Sequence, residues 1–325
     1  MMETERRWFL RGDQSAQLEG VPAGVEYHRV LAGEKRRIMR GLLAIALLLA
    51  GMIGFGVSFT ELSKVIDVEV LGRTEEFTPL RHIAGSLSLV VLIPYSMLLQ
   101  RLLYGVSPGS LHSVIGRFRF SVFGKSLVVF GPLVLIAMSI PFLLQDGTMV
   151  SWTAPDLVAM FLAGLLVTPL AAAGEEYGFR GLMFRVVGGW TRSARVGLVL
   201  GIVVTTVVFS LAHGTLDPYL LTSYFVLFGT MAIITWRTGG LEAAVVLHGL
   251  YNLTLLLATM LHIDVLGQLA SRAAAVGSFV NLIPSAALVV ATAVIWWMTR
   301  GSGPARTARA ERSAAQETAT SWVRA

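Results

Sequence analysis

Long apolar runs alternate with short polar segments along most of the chain. Eight of these runs approach the ~20 residues that an α-helix needs to cross a lipid bilayer. We therefore predict an all-α fold, a polytopic transmembrane helix bundle of about eight spans. The predicted spans cover residues 41–59, 83–104, 126–144, 156–173, 196–212, 218–236, 241–262 and 278–298.

Polar stretches at both ends divide the chain into three predicted regions. These are a solvated cytoplasmic tail at 1–39, a transmembrane core at 40–299 and a disordered cytoplasmic tail at 300–325. A basic cluster precedes the first apolar run, and basic loops then alternate with loops that lack a basic excess. This alternation predicts that both termini lie in the cytoplasm. Residues 114–123 alternate Arg and Phe, which favours a segment lying along the membrane surface.

The composition is typical of an integral membrane protein, with 54% hydrophobic and only 14% charged residues. We attribute the net charge of +6 to basic cytoplasmic loops, and we expect no nucleic-acid partner. The absence of cysteine excludes disulfides, thiolate catalysis and cysteine-ligated zinc.

Two adjacent carboxylates and an arginine follow the fourth apolar run, in the sequence E-E-Y-G-F-R. On a helix, Glu176 and Arg180 share a face and can form an ion pair. Glu175 is rotated by roughly 100° and points elsewhere. The pattern predicts one carboxylate neutralised by Arg180 and one available for chemistry. An ion pair that merely ends a membrane helix would give the same local pattern.

Two further polar pairs lie within later apolar runs. Phe209 and His213 are one helical turn apart, and so are His248 and Asn252. Polar groups in lipid must face each other or a water-filled cavity. We therefore predict one buried polar centre built from spans four, five and seven. The two histidines can meet there only if the fourth helix continues beyond the bilayer through G-L-M-F-R-V-V-G-G.

This set of side chains suits hydrolysis. A carboxylate and a histidine can take a proton from water that attacks a peptide carbonyl, while a histidine and an amide stabilise the oxyanion. The H-E-x-x-H motif of common zinc proteases does not occur in the chain. Glu175, His213 and His248 are nevertheless suitable ligand types for zinc. Direct glutamate catalysis and metal-assisted hydrolysis therefore both remain open.

In their order, E-E-x-x-x-R, F-x-x-x-H and H-x-x-x-N resemble the motifs of the CAAX protease and bacteriocin-processing (Abi) family of intramembrane proteases. The resemblance covers roughly residues 157–256, within a motif region that we delimit as 154–256. It implies a core of about eight transmembrane helices with a site inside the membrane, open to the cytosol. The implied roles are water activation by Glu175 and His213, oxyanion stabilisation by His248 and Asn252, and site positioning by Glu176, Arg180 and Phe209.

We thus expect an intramembrane endopeptidase that acts on membrane-associated proteins or peptides, with the lipid bilayer as its other partner, in a bacterial plasma membrane. The family includes eukaryotic enzymes that act on prenylated proteins, whereas a bacterial origin favours peptide processing or immunity. We favour a mechanism with no cofactor. The alternatives are a zinc-dependent protease that uses Glu175, His213 and His248, and a non-enzymatic transporter or scaffold, since proton-coupled transport also uses ionisable groups in the membrane.

Overall fold

The computed structural model describes residues 9–10, 18–75, 77–144, 152–259 and 276–308. Within these ranges the chain forms eight helices and no β-strand, so the predicted all-α bundle is confirmed. Seven of the described helices are long and apolar enough to cross a membrane, by length and composition. The eighth helix, α7, corresponds to the predicted span 241–262, of which residues 260–262 lie outside the described ranges. The helices are α1 (Ile38–Val70), α2 (Pro79–Tyr104), α3 (Phe120–Leu143), α4 (Ala154–Gly188), α5 (Ala194–Leu211), α6 (Pro218–Thr238), α7 (Glu242–Thr259) and α8 (Phe279–Thr299).

Helix α4 is the longest of the described helices, with 35 residues, and it continues to Gly188 as the sequence predicts. Its middle, Tyr177–Met183, is a π-helix. Such wide turns are rare and frequently occur at functional sites. The π segment begins directly after Glu176 and contains Arg180, so it coincides with the E-E-x-x-x-R motif.

Helices α2 and α4 touch backbone to backbone beside the paired carboxylates. A Cβ atom at Gly174 would overlap the carbonyl oxygen of Leu89 on α2. Small residues permit such close approach of membrane helices. By contrast, a Cβ atom at Gly85 on α2 would meet nothing within 4 Å. The glycine that precedes Glu175 therefore fixes how closely α4 lies against α2.

The described parts of the two predicted tails pack onto the bundle. Tyr27 is fully buried, and Glu26 forms an isolated β-bridge with Arg306. Thr307 accepts a hydrogen bond from the Val25 amide at 3.0 Å, and its own hydroxyl donates to the Pro22 carbonyl. The two ends thus satisfy each other's polar groups, which composition alone does not reveal. Residues 1–8, 11–17 and 309–325 of the predicted tails lie outside the described ranges.

The Arg/Phe segment at 114–123 also differs from the expected surface-lying position. Arg119 is only 7% exposed, whereas Phe120 is 77% exposed. The arginine can be buried because Glu242, at the start of α7, pairs with it at 2.7 Å. A charge from one loop is therefore compensated by a helix more than a hundred residues later.

Candidate functional site

Glu176 and Arg180 form the ion pair that their spacing predicts. The Glu176 Oε1 atom lies 3.2 Å from the Arg180 Nη1 atom, and both side chains are fully buried. Arg180 also donates from Nη2 to the Phe228 carbonyl at 3.3 Å. Neither Glu176 Oε2 nor Arg180 Nη1 has a well-aligned hydrogen-bond partner among the described residues. The pair is therefore close but incompletely satisfied.

His248 contacts both carboxylates. Its Nδ1 atom lies 2.7 Å from Glu176 Oε1, and its Nε2 atom lies 3.5 Å from Glu175 Oε2. The short contact is a hydrogen bond in which Nδ1–H donates to the carboxylate of the Glu176–Arg180 pair. Since the Glu175 side chain is 12% exposed, the two neighbouring glutamates have unlike surroundings. The predicted pairing within α4 thus extends across to α7.

His213 lies two residues after the end of α5 and is half-buried. Its Nδ1 atom lies 2.8 Å from the Phe209 carbonyl oxygen, which can only accept a hydrogen bond. A neutral His213 therefore has its proton on Nδ1 and its lone pair on Nε2, by assignment from this contact. This tautomer suits a general base that acts through Nε2.

Stacked aromatic rings connect the two histidines. The Phe209 ring is stacked between Phe179 and Phe228, at centroid distances of 3.9 and 4.1 Å. It lies 5.0 Å from the His213 ring and 6.2 Å from the His248 ring. Phe209 therefore packs beside both histidines, although the sequence motif linked it to His213 alone.

Helix α6 contributes to this site although the sequence analysis assigned it no role. Phe228 lies 4.9 Å from His213 and 5.9 Å from His248, between ring centroids. Tyr224, one turn earlier, lies 4.4 Å from His213. The Arg180 guanidinium stands 4.8 Å from the Phe228 centroid, a cation–π contact. The sequence signal that could have identified this contribution is the i,i+4 spacing of Tyr224 and Phe228 in the sixth predicted span.

Asn252 lies one turn after His248 on α7 and is half-buried. Helix geometry places it on the same side of α7 as His248. The structure thus connects six of the seven predicted residues by measured contacts and places the seventh beside them by helical register.

The donor atoms of the site do not converge as a metal site requires. Among the described residues, no group of three or more His, Cys, Asp or Glu side chains could hold a metal ion. Glu175, His213 and His248 are all described, and they therefore do not form a three-ligand set in this arrangement. Both ring nitrogens of His248 face carboxylates instead.

The three motifs and their contacts lie in a segment that is similar to a known family. Residues 155–254 match the model of the family described as Type II CAAX prenyl endopeptidase Rce1-like. This match confirms the resemblance to the CAAX protease family, and it includes every predicted site residue. No curated protein and no solved structure matches the chain. The long apolar helices indicate an integral membrane protein, and residues 155–254 are similar to CAAX-type proteases.

Proposed function

We propose that this protein is an intramembrane endopeptidase in which Glu175 and His213 activate the water that cleaves the peptide bond. The observation that carries the proposal is the unequal environment of the adjacent glutamates. Glu176 is fully buried and lies beside Arg180, whereas Glu175 is partly exposed and faces His248 Nε2 at 3.5 Å. One carboxylate thus holds the site together, and the other reacts.

In the proposed reaction, Glu175 takes a proton from water, and the oxygen of that water attacks the carbonyl carbon of the substrate. His213 assists by accepting a hydrogen bond from the water at Nε2. The tetrahedral intermediate collapses with cleavage of the carbon–nitrogen bond. The proton held by Glu175 passes to the departing amine, which regenerates the carboxylate.

His248 and Asn252 would stabilise the negative oxygen of the intermediate. The Nδ1–H group of His248 donates to Glu176, so Nε2 must carry a second proton to donate to the oxyanion. The Asn252 amide would supply a second donor. Removing one such donor typically lowers the rate by about 10²- to 10³-fold.

The proposed substrate is a membrane-anchored protein or peptide, in accord with the prenyl endopeptidase description of the matched family. A farnesylated CAAX peptide and an unmodified apolar peptide of the same sequence are the appropriate pair of probes. Preference for the farnesylated probe would assign prenylated substrates. Equal or better cleavage of the unmodified probe would assign general peptide processing at the membrane.

The decisive experiment compares the purified full-length protein with Glu175→Gln and His213→Asn in liposomes. We expect each variant to lose about 10²-fold or more of the cleavage rate, because each removes a proton acceptor. Glu61→Gln is a matched control, since Glu61 forms an exposed ion pair with Lys64 on α1. Full activity in both site variants would contradict the proposal.

Metal analysis separates the zinc alternative. Near-stoichiometric zinc, with activity lost to a chelator and restored by zinc, would favour a metalloprotease. Proton-coupled peptide flux without any cleavage would instead identify a transporter.

A further inference from the structure

The loop between α2 and α3, residues 105–119, lies between the two helices that carry the carboxylates and His248. We refer to it as the α2–α3 loop. On one side, His112 Nδ1 forms a short hydrogen bond with the hydroxyl of Tyr177. Tyr177 directly follows Glu176 and begins the π segment of α4. Because π turns are rare and are used in short pieces, a tertiary contact of this kind helps to hold the segment in place.

On the other side, the same loop is bonded to the start of α7. The His112 carbonyl accepts a hydrogen bond from the Leu241 amide at 3.0 Å, and the Val114 amide donates to the Gly239 carbonyl at 2.8 Å. His112 therefore contacts α4 through its side chain and the turn before α7 through its backbone.

A second connection to α7 is a buried ion pair. Arg119 donates from Nε and Nη2 to the two carboxylate oxygens of Glu242, at 2.8 and 2.7 Å. Its backbone amide also donates to Glu242 Oε1 at 2.9 Å, and its Nη1 atom donates to the Thr238 carbonyl. Such a bidentate, charge-assisted arrangement restricts both distance and orientation. The start of α7 is thereby held to the end of the α2–α3 loop.

These connections lie close to the contact between Glu176 and His248. Tyr177 is the neighbour of Glu176, and His248 follows Glu242 by six residues, a rise of about 9 Å along α7. We propose that the α2–α3 loop is a brace that sets the distance between the carboxylates of α4 and His248. Tyr177 and Glu242 are its two positioning residues. The inference rests on the proposed function, because it concerns the geometry of that same site.

A brace of this kind has a kinetic consequence. Misplacing a reacting group by about 1 Å can lower a rate by about 10²-fold. We expect Tyr177→Phe and Glu242→Gln each to lower kcat by about tenfold and to leave KM within about twofold. The matched controls are Tyr95→Phe, whose hydroxyl donates to the Leu47 carbonyl, and Asp67→Asn, a buried partner of Arg81 at the opposite end of α2. Neither control is expected to change kcat.

The double variant provides a stricter test. If both residues act through one brace, the loss of either connection is enough to change the distance between the α4 carboxylates and His248. Tyr177→Phe combined with Glu242→Gln should then lower kcat little more than the stronger single variant. Independent sites would give additive free energies, that is, a loss of about 100-fold. A loss that large, or single variants with unchanged kcat, would overturn the inference.

A spectroscopic measurement decides the same question without a substrate. The full chain has six histidines, so ¹⁵N-histidine spectra are simple enough to assign with His→Gln variants. We expect the His248 signals to shift in both brace variants and to stay unchanged in both controls. Unchanged His248 signals in folded brace variants would overturn the brace, whereas absent cleavage by the wild type with shifted signals would overturn only the proposed function. If Glu242→Gln does not fold, Glu242→Asp keeps the charge, shortens the reach and carries the same expectation.

Discussion

Two buried glutamate–arginine pairs in this bundle differ in how completely they are satisfied. Arg119 and Glu242 meet through two side-chain hydrogen bonds of 2.8 and 2.7 Å, with a third from the backbone. Glu176 and Arg180 approach to only 3.2 Å, and Glu176 Oε2 has no hydrogen-bond partner among the described residues. The first pair joins a loop to a helix, and the second lies beside His248.

The two pairs therefore have different roles: the Arg119–Glu242 pair stabilises the structure, and the Glu176–Arg180 pair supports the reactive site. A buried ion pair with every hydrogen bond made restricts geometry but has no capacity left for a substrate. A pair with unsatisfied atoms is less stable, and such strained or under-bonded groups concentrate at functional sites. Substitutions in and around the two pairs test whether they differ in this way.

Arg119→Ala should give the largest loss of stability. It leaves the Glu242 carboxylate buried and uncompensated, which typically lowers the free energy of unfolding by about 3–5 kcal/mol. Equilibrium unfolding of the purified protein in mixed micelles would measure it. The control is Arg306→Ala, whose exposed pair with Glu26 should contribute about 0–1 kcal/mol. Equal losses in the two variants would show that the Arg119 pair is not a rigid anchor.

Glu176→Gln should lower the cleavage rate by about 10²-fold, because it weakens the support of His248. Glu242→Gln should lower it by only about tenfold. Glu242→Gln should instead cause the larger loss of stability. In Glu176→Gln the buried Arg180 keeps its cation–π contacts with Phe209 and Phe228. Rate and unfolding measurements on both variants check the reversal. The same order in both measurements would contradict the division of roles.

Gly174→Ala tests the backbone contact that supports the reactive pair. The added methyl group would overlap the Leu89 carbonyl and push α4 away from α2. Overpacking of this kind costs about 1–3 kcal/mol, and we expect the rate to fall by about tenfold. Gly85→Ala is the matched control and should change neither quantity appreciably, because it has open space. Full activity of Gly174→Ala would show that this approach does not set the site.

The smallest effect concerns pH. Burial lowers the pKa of His112 below its ordinary value of 6.5, although nearby Glu242 raises it. The unfolded chain therefore binds more protons than the folded one just below that value, so the contribution of His112 to stability is lost as pH falls. Melting temperatures at about pH 7.5 and about pH 5.5 should differ less in His112→Gln than in the wild type. An unchanged difference would exclude His112 from the acid response.

Regular spacing made half of this site predictable. Helical periodicity placed Glu176 on the same face as Arg180, and Phe209 on the same face as His213. These contacts were predictable because they stay within one helix or its immediate end. The hydropathy pattern likewise gave the helical bundle and the long fourth helix.

Contacts between helices were not predictable in the same way. The hydrogen bond from His248 to Glu176 joins residues 72 positions apart, and it depends on the rotation and depth of the two helices that carry them. The pair of His112 and Tyr177, and the burial of Arg119, depend on a loop whose sequence reads as a surface segment. Neither periodicity nor charge patterning predicts which residues of different segments will pair, because each of these residues would also be compatible with a solvated position.

The pairing of residues 22–26 with 306–308 has a consequence for biosynthesis. The hydrogen bond between Val25 and Thr307 joins positions 282 apart, so its first partner emerges from the ribosome long before its second. During translation Val25 has no hydrogen-bond partner here until the helices between the two positions have been synthesised. This contact therefore forms late in the assembly of the bundle, and probes placed at the two positions would monitor that step.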